Sequence, residues 1–135
     1  MREILFRGKK VDNGEWVEGY YVYDESEQIT EHPAAYIHHL NRHPCGWDLI
    51  PFEVIPETVG QYTGLTDKNG TKIFEGDILT AHFVSNRSKQ HFKVIFENGA
   101  FLFDNGSVKV PVWDIYCLKI IGNIHDNPEL LKGEV

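Results

Sequence analysis

Apolar and polar residues alternate with a period of two along much of the chain, which is the pattern of half-buried β-strands. The alternation is clearest at Phe92, Val94 and Phe96. The other strand candidates are Ile4 and Phe6; Trp16 to Tyr23; Ile78, Thr80, His82 and Val84; Ala100 to Phe103; Val108, Val110 and Val112; and Tyr116, Leu118 and Ile120. Pro111 favours an edge position for the run around it, because proline cannot donate to a β-ladder.

Asn-Gly pairs supply the strongest turn signals between these runs. The pair occurs four times, as Asn13-Gly14, Asn69-Gly70, Asn98-Gly99 and Asn105-Gly106. Asn and Gly accept the positive φ angles that a two-residue hairpin turn requires. Asn98-Gly99 lies between two aromatic runs, so the sequence predicts a hairpin there with its aromatic side chains packed across the strands.

Helix signals are confined to the C-terminal end. Asn127 is a capping residue type, Pro128 suits the first helical position, and Glu129 suits the positive end of the helix dipole. These residues predict one or two helical turns. The remainder predicts an all-β fold of mainly antiparallel short strands, arranged as a small barrel or a twisted sheet.

The least regular stretch runs from Asp24 to Pro51 and contains three of the six prolines. We predict a His- and Pro-rich loop here, with one strand at Ala35 to His39. The organisation predicted is an N-terminal β-hairpin segment over 1–56, including this loop, and a compact β unit over 57–135. No Ser- or Pro-rich linker separates the two, so one continuous domain over 1–135 remains an alternative.

Composition narrows the classes of function. No apolar run exceeds four residues, whereas a spanning helix needs about 20 and a signal peptide about 7 to 15. We therefore expect a cytoplasmic protein without a membrane partner, with Cys45 and Cys117 as free thiols. The net charge of -7 disfavours nucleic-acid binding. Basic residues near aromatic ones keep a nucleic-acid surface as an alternative; they are Arg7, Lys9, Arg87 and Lys89.

Potential metal ligands concentrate in fourteen residues: His32, His38, His39, His43 and Cys45. Structural zinc sites show two closely spaced ligand pairs, and only His39 and His43 have half of that spacing. We therefore expect solvated loop histidines, no metal and no cofactor. A metal-dependent enzyme is kept as a third hypothesis, which requires several of these ligands to converge on a pocket with a carboxylate.

Candidate catalytic residues have simpler structural explanations. Asp67, Glu75 and Asp77 stand beside Gly-containing turns, where Asp is a turn former, and His82 and His125 belong to no recognised catalytic motif. Neither Ser85, Ser88 nor the cysteines have the surroundings of a nucleophile. We predict no catalytic residue and no enzyme activity.

Several motifs together resemble a known family. They are Phe6 to Lys9, Trp16 to Tyr20, Val59 to Leu65, Asp67 to Gly70, Ile73, Glu75 to Ile78, Ile121 to Ile124, and Asp126 to Leu131. As a set, they are similar to the YopX family of phage and prophage proteins. The resemblance implies an SH3-like small barrel encoded by a temperate phage and acting in the bacterial cytoplasm. It implies no catalytic residue, cofactor or substrate, and His125 departs from the family pattern.

The motif Gln61, Tyr62 and Thr63 is the candidate interaction site. A tyrosine held on a stiff turn offers contact area at low entropic cost, although a compact loop also packs its own side chains. The function predicted is a non-enzymatic interaction module for an unidentified host or phage protein, with homo-oligomerisation left open.

Overall fold

The computed structural model describes residues 2–24 and 34–132, and strands dominate these residues. The predicted all-β class with antiparallel pairing is confirmed. The strands form two open sheets, so the SH3-like closed barrel is not confirmed. The chain divides into two compact units, Met1–Tyr62 and Thr63–Val135, compared with the expected segments 1–56 and 57–135.

The strands are β1 (Phe6–Lys9), β2 (Trp16–Asp24), β3 (Ala34–His43), β4 (Gly46–Val54), β5 (Gly60–Thr66), β6 (Lys72–Phe74), β7 (Asp77–Phe83), β8 (Lys89–Glu97), β9 (Ala100–Asp104), β10 (Lys109–Val110) and β11 (Ile115–Asn123). Two short 3-10 turns cover Pro56–Thr58 and Val112–Asp114, and α1 covers Glu129–Lys132.

The first unit is built on the strand order β4-β3-β2-β1, followed by β5, in which the boundary between the units falls. Its core lies on one face of these strands. The buried core residues are Val17, Ala35, Ile37 and Val54, and Phe6, Tyr21, Phe52 and Val59 pack against them. Because this cluster is complete within the first unit, the unit has its own hydrophobic core.

The region from Asp24 to Pro51 is more regular than predicted. Instead of a loop with one strand, β3 and β4 form a long hairpin, paired without interruption from Ala35 opposite Val54 to His43 opposite Gly46. Pro51 is accommodated because β4 is the edge strand of its sheet, where a missing N–H breaks no ladder.

The second unit contains the sheet β10-β9-β8-β7-β11, together with β6, which neighbours β5. Its core is a second cluster that includes Ile73, Leu79, Phe92 and Phe103, each with no exposed surface. The aromatic runs therefore supply the core of this unit, as the period of two indicated.

The predicted hairpin at Asn98-Gly99 is confirmed. Asn98 and Gly99 have φ angles of 53° and 81°, and Glu97 pairs with Ala100 across the turn. The rings of Phe96 and Phe101 pack edge to face, with centroids 5.0 Å apart. At the other three Asn-Gly pairs only the glycine has a positive φ, so those pairs do not form the same two-residue turn.

Replacing Gly99 with Val is expected to destabilise the second unit by about 1 kcal/mol or more. A Cβ at this position meets no atom within 4 Å, so the cost arises from forcing a β-branched residue to a φ of 81°. Gly99→Asn is the matched control, because Asn tolerates this region and should lose less stability. Equal urea midpoints for wild type and Gly99→Val would contradict the prediction.

The C-terminal helix lies where it was predicted, but the predicted side-chain cap is wrong. The side-chain oxygen of Asn127 accepts a hydrogen bond from the Asn123 backbone N–H at 3.3 Å, and only the Asn127 backbone carbonyl accepts from Leu130 N–H. Asn127 therefore closes the turn after β11. At the other end, His91 Nδ1 lies 3.0 Å from the Leu130 carbonyl oxygen, which links α1 to β8.

Candidate functional site

The predicted interaction motif lies in strand β5 and not in a loop. Tyr62 is only 8% exposed, so the prediction that its side chain is displayed is wrong. Thr63 Oγ1 donates to the Ile73 carbonyl at 2.8 Å, and Gln61 is half-buried opposite Phe6. Substitution of Tyr62 would therefore disturb packing as well as any contact with a partner. A recognition role for Gln61, Tyr62 and Thr63 stays a prediction.

A different surface of the first unit is apolar and exposed. Tyr20, Leu40, Arg42, Trp47 and Leu49 line a groove of about 290 Å³, which we call the β3–β4 groove. Trp47 is 61% exposed, Tyr20 52% and Leu49 45%. A cluster of large exposed apolar side chains is unusual unless it serves binding, whereas scattered ones need no explanation.

Strand register explains why these side chains meet. Leu40 pairs with Leu49, and Arg42 pairs with Trp47. The alternate positions of the same strands, including Ile37 and its partner Phe52, face the core. β3 and β4 are therefore apolar on both faces, and only one face is covered by the unit's own residues. Sequence analysis missed the groove because β4 had not been recognised as a strand.

A second, more polar cavity of about 580 Å³ is lined by Arg7, Lys10, Trp16, Val17, Glu18, His39 and Phe52. The Arg7 guanidinium lies 4.7 Å from the Trp16 ring centroid, and Lys10 Nζ lies 4.2 Å from the Phe52 ring centroid. Both distances are within the range of cation–π attraction. This basic-aromatic cavity contains Arg7 of the predicted nucleic-acid surface, whereas Arg87 and Lys89 belong to the second unit.

The histidine-rich segment forms no metal centre among residues 2–24 and 34–132, where no three His, Cys, Asp or Glu side chains are grouped for a metal ion. His39 Nδ1 lies 2.8 Å from the Glu18 carbonyl oxygen, and His43 Nε2 lies 3.2 Å from Asp48 Oδ2. Cys45 is a free, exposed thiol. His38 and His39 are consecutive in β3 and so point to opposite faces. His32 lies outside the described residues.

Asp67 and Asp77 have the turn-forming roles that the sequence predicted. Asp67 Oδ1 accepts from the N–H groups of Asn69 and Thr71, each at 2.9 Å, and Asp67 Oδ2 accepts from Ile120 N–H at 3.1 Å. Burial acts to raise the pKa of Asp67, but these backbone donors and the Lys68 charge together hold that pKa below its usual value. Asp77 Oδ2 accepts from Phe74 N–H at 2.7 Å.

His82 and His125 occupy structural surroundings. The His82 ring stacks on Tyr116 with centroids 5.2 Å apart, and its Nδ1 is buried without a hydrogen bond to any described residue. The backbone N–H of His125 donates to Asn123 Oδ1 at 3.0 Å, inside the turn that precedes α1. Neither arrangement places the imidazole in one of the two cavities described above.

These features define an all-β protein of two antiparallel sheets with an exposed apolar groove on its first unit. The sequence matches the profile of the YopX protein family over residues 5–132, so the chain belongs to that family. A search of curated proteins gave no match. Within the described residues, the model has no helix that is both long and apolar enough for a membrane crossing.

A solved structure has a similar fold. It is the crystal structure of protein EF1440 from Enterococcus faecalis, which is 24% identical to this chain, with a TM-score of 0.56. The alignment covers 97% of this chain and 99% of that one. At this identity the similarity supports the fold and carries no function.

Proposed function

We propose that this protein is a non-enzymatic, prophage-encoded interaction module that acts in the bacterial cytoplasm and binds another protein, of host or phage origin. Membership of the YopX family supports the phage assignment, through the resemblance stated above. The observation that carries the interaction role is the β3–β4 groove, an apolar surface that the described residues leave open.

The composition of the groove suits protein recognition. Trp, Tyr and Arg are the residue types that most often dominate binding energy at protein interfaces, and the groove contains Trp47, Tyr20 and Arg42. Leu40 and Leu49 supply apolar walls between them. An aromatic anchor beside one cation gives both contact area and orientation to a partner.

The chemistry of the two cavities supports a binding role over catalysis. The β3–β4 groove contains no carboxylate, histidine, cysteine or serine in its lining. In the basic-aromatic cavity, His39 contacts the backbone carbonyl of Glu18, so this contact is not the carboxylate–imidazole pair of an acid–base device.

Nucleic-acid association is the second candidate, and the basic-aromatic cavity favours it. Cations beside Trp16 and Phe52 resemble the combination of charge and stacking with which proteins bind single strands. Against it, residues 1–62 carry five Lys and Arg against eleven Asp and Glu, a formal net charge of -6. We favour protein binding because that charge repels a phosphate backbone.

Trp47→Ala is expected to reduce partner capture at least about tenfold while the melting temperature stays nearly unchanged, because an exposed interface tryptophan contributes to binding more than to folding. Tagged full-length protein would be expressed in host cells carrying the prophage, and co-eluting proteins quantified by mass spectrometry. Trp113→Ala is the matched control, since Trp113 is 77% exposed but lies in the second unit.

Equal loss of capture in both variants would show that the groove has no special role. Capture unaffected by Trp47→Ala would contradict the proposal directly. Titration of single-stranded DNA, followed by fluorescence anisotropy at several salt concentrations, tests the second candidate. Sub-micromolar binding that weakens steeply with salt would favour nucleic acid over protein.

A further inference from the structure

Strand β4 is the edge of its sheet, and part of that edge is open. The register between β3 and β4 is continuous, so alternate residues of β4 direct their backbone N–H and C=O groups towards β3 and away from it. At the far end, Val11 N–H donates to the Glu53 carbonyl at 3.0 Å, and Ile55 N–H donates to the Lys9 carbonyl at 2.9 Å. Glu53 and Ile55 therefore face outward.

The same parity applies to the earlier part of the strand. Trp47, Leu49 and Pro51 also direct their backbone groups outward, and none of these groups has a hydrogen bond within residues 2–24 and 34–132. Pro51 agrees with this assignment, because an outward position is where a strand tolerates a residue without N–H. The open edge thus offers two N–H groups and three carbonyl groups over five residues.

The open edge and the β3–β4 groove are made by the same residues. Trp47 and Leu49 present unpaired backbone groups at the edge and exposed side chains in the groove. A strand added to β4 would therefore receive main-chain hydrogen bonds while its alternate side chains lie beside the groove. This combination is how β-strand addition obtains both affinity and specificity.

Charge indicates which occupant suits the edge. Arg42 is the only charged residue lining the groove, and it has no ion pair within the described residues. A guanidinium pairs best with a carboxylate on the incoming segment. A second copy suits the site less well, because it offers the same short edge interrupted by Pro51 and brings together two units of net charge -6.

We propose that β4 is a site of β-strand addition for an extended segment of another protein, one that alternates apolar and polar residues and carries an Asp or Glu within reach of Arg42. This inference rests on the proposed interaction function and specifies the partner class and the mode of binding.

The test uses ¹⁵N-labelled full-length protein and three synthetic ten-residue peptides of alternating Val and Thr, in which two Thr positions are Asp, unchanged or Lys. We expect the Asp peptide to bind at least about tenfold more tightly than the Lys peptide, and Arg42→Glu to reverse that order. At saturation, hydrogen exchange of the Trp47 and Leu49 amides should slow at least about tenfold, because both become hydrogen-bonded.

Leu49→Pro removes one outward N–H and leaves the ladder to β3 intact, so it should abolish binding of the Asp peptide. Leu49→Ala is the matched control, since it shortens the side chain but keeps the N–H. If Leu49→Pro fails to fold, the exchange rates of Trp47 and Leu49 in the wild-type protein decide the question on their own.

Binding without slower exchange at Trp47 and Leu49 would overturn strand addition and leave the interaction module standing. The absence of binding by all three peptides at millimolar concentration would also overturn it, while loss of host partner in Trp47→Ala would still support the proposed function. Slow exchange of the same amides with rising protein concentration alone, together with dimers in sedimentation, would assign the edge to a second copy. Peptide binding at the edge combined with normal host capture by Trp47→Ala would support the strand-addition site and refute the groove-based function.

Discussion

Gly19→Ala is expected to destabilise the first unit by at least about 3 kcal/mol, or to prevent its folding. A Cβ at Gly19 would lie 2.3 Å from the His38 carbonyl oxygen and 2.8 Å from its carbonyl carbon. These atoms belong to the backbone of β3, so relief requires moving a strand and not merely a side chain. Overpacking of this kind costs about 1 to 3 kcal/mol when side chains can yield, and more when backbone must move.

Gly14→Ala is the matched control for this steric effect. Gly14 has a φ of 71°, and a Cβ there meets nothing within 4 Å. Its replacement should cost only about 1 kcal/mol of backbone strain. Urea denaturation, with hydrogen exchange of β2 and β3 amides to locate the change, separates the two. Comparable midpoints for the two variants would show that β3 adjusts without penalty.

Asp67→Ala is expected to destabilise the second unit by about 3 kcal/mol. The carboxylate accepts hydrogen bonds from three backbone N–H groups, and an unsatisfied donor that stays buried costs about 1 to 3 kcal/mol. Two of the donors, Asn69 and Thr71, are in the exposed turn, where water can replace the carboxylate. The contact with Ile120 in β11 therefore carries most of the expected loss.

Asp67→Asn separates the turn from the link to β11. Its amide oxygen can still accept from Asn69 and Thr71, but its NH₂ group would face the Ile120 N–H, so an intermediate loss of stability is expected. A loss in Asn equal to that in Ala would show that charge, and not the contact with Ile120, dominates. Full stability in Asp67→Ala would remove any role for the carboxylate.

The stability of the wild-type protein should also depend on pH through Asp67. Folding lowers the pKa of this group, so the ionised carboxylate stabilises the folded state above the unfolded pKa of about 3.9. That contribution is lost as the pH falls from the unfolded pKa through the lower folded one. Asp67→Asn should have a shallower loss of stability below about pH 4, and equal slopes would contradict this assignment.

Local sequence was sufficient to predict the hairpin at Asn98-Gly99, because the turn residues and the flanking alternation agree within twelve residues. The β3–β4 hairpin was not predictable in the same way. Its connection, Pro44 and Cys45, has no Asn-Gly signal, and β4 contains Pro51. Pairing with β3 overrides these local signals, since a single register aligns nine residue pairs.

Exposure of the candidate site residues was harder to predict than the strands. Tyr62 and Trp47 are both large aromatic residues in strands, yet one is 8% exposed and the other 61% exposed. The difference depends on which face of each strand meets a core, and that is set by long-range pairing. The sequence pattern gives the period of the alternation but does not show which face remains uncovered.

The proline in β4 also limits how far strand addition can continue. An edge strand with exposed apolar residues is a template for amyloid-like stacking, and such edges need a device that stops growth. Pro51 offers no N–H to an incoming chain, and the bridge between Lys10 and Val54 occupies the edge beyond it. Any added strand is therefore held to a short docking length, which permits recognition of one segment and blocks the regular hydrogen bonding on which fibril growth depends.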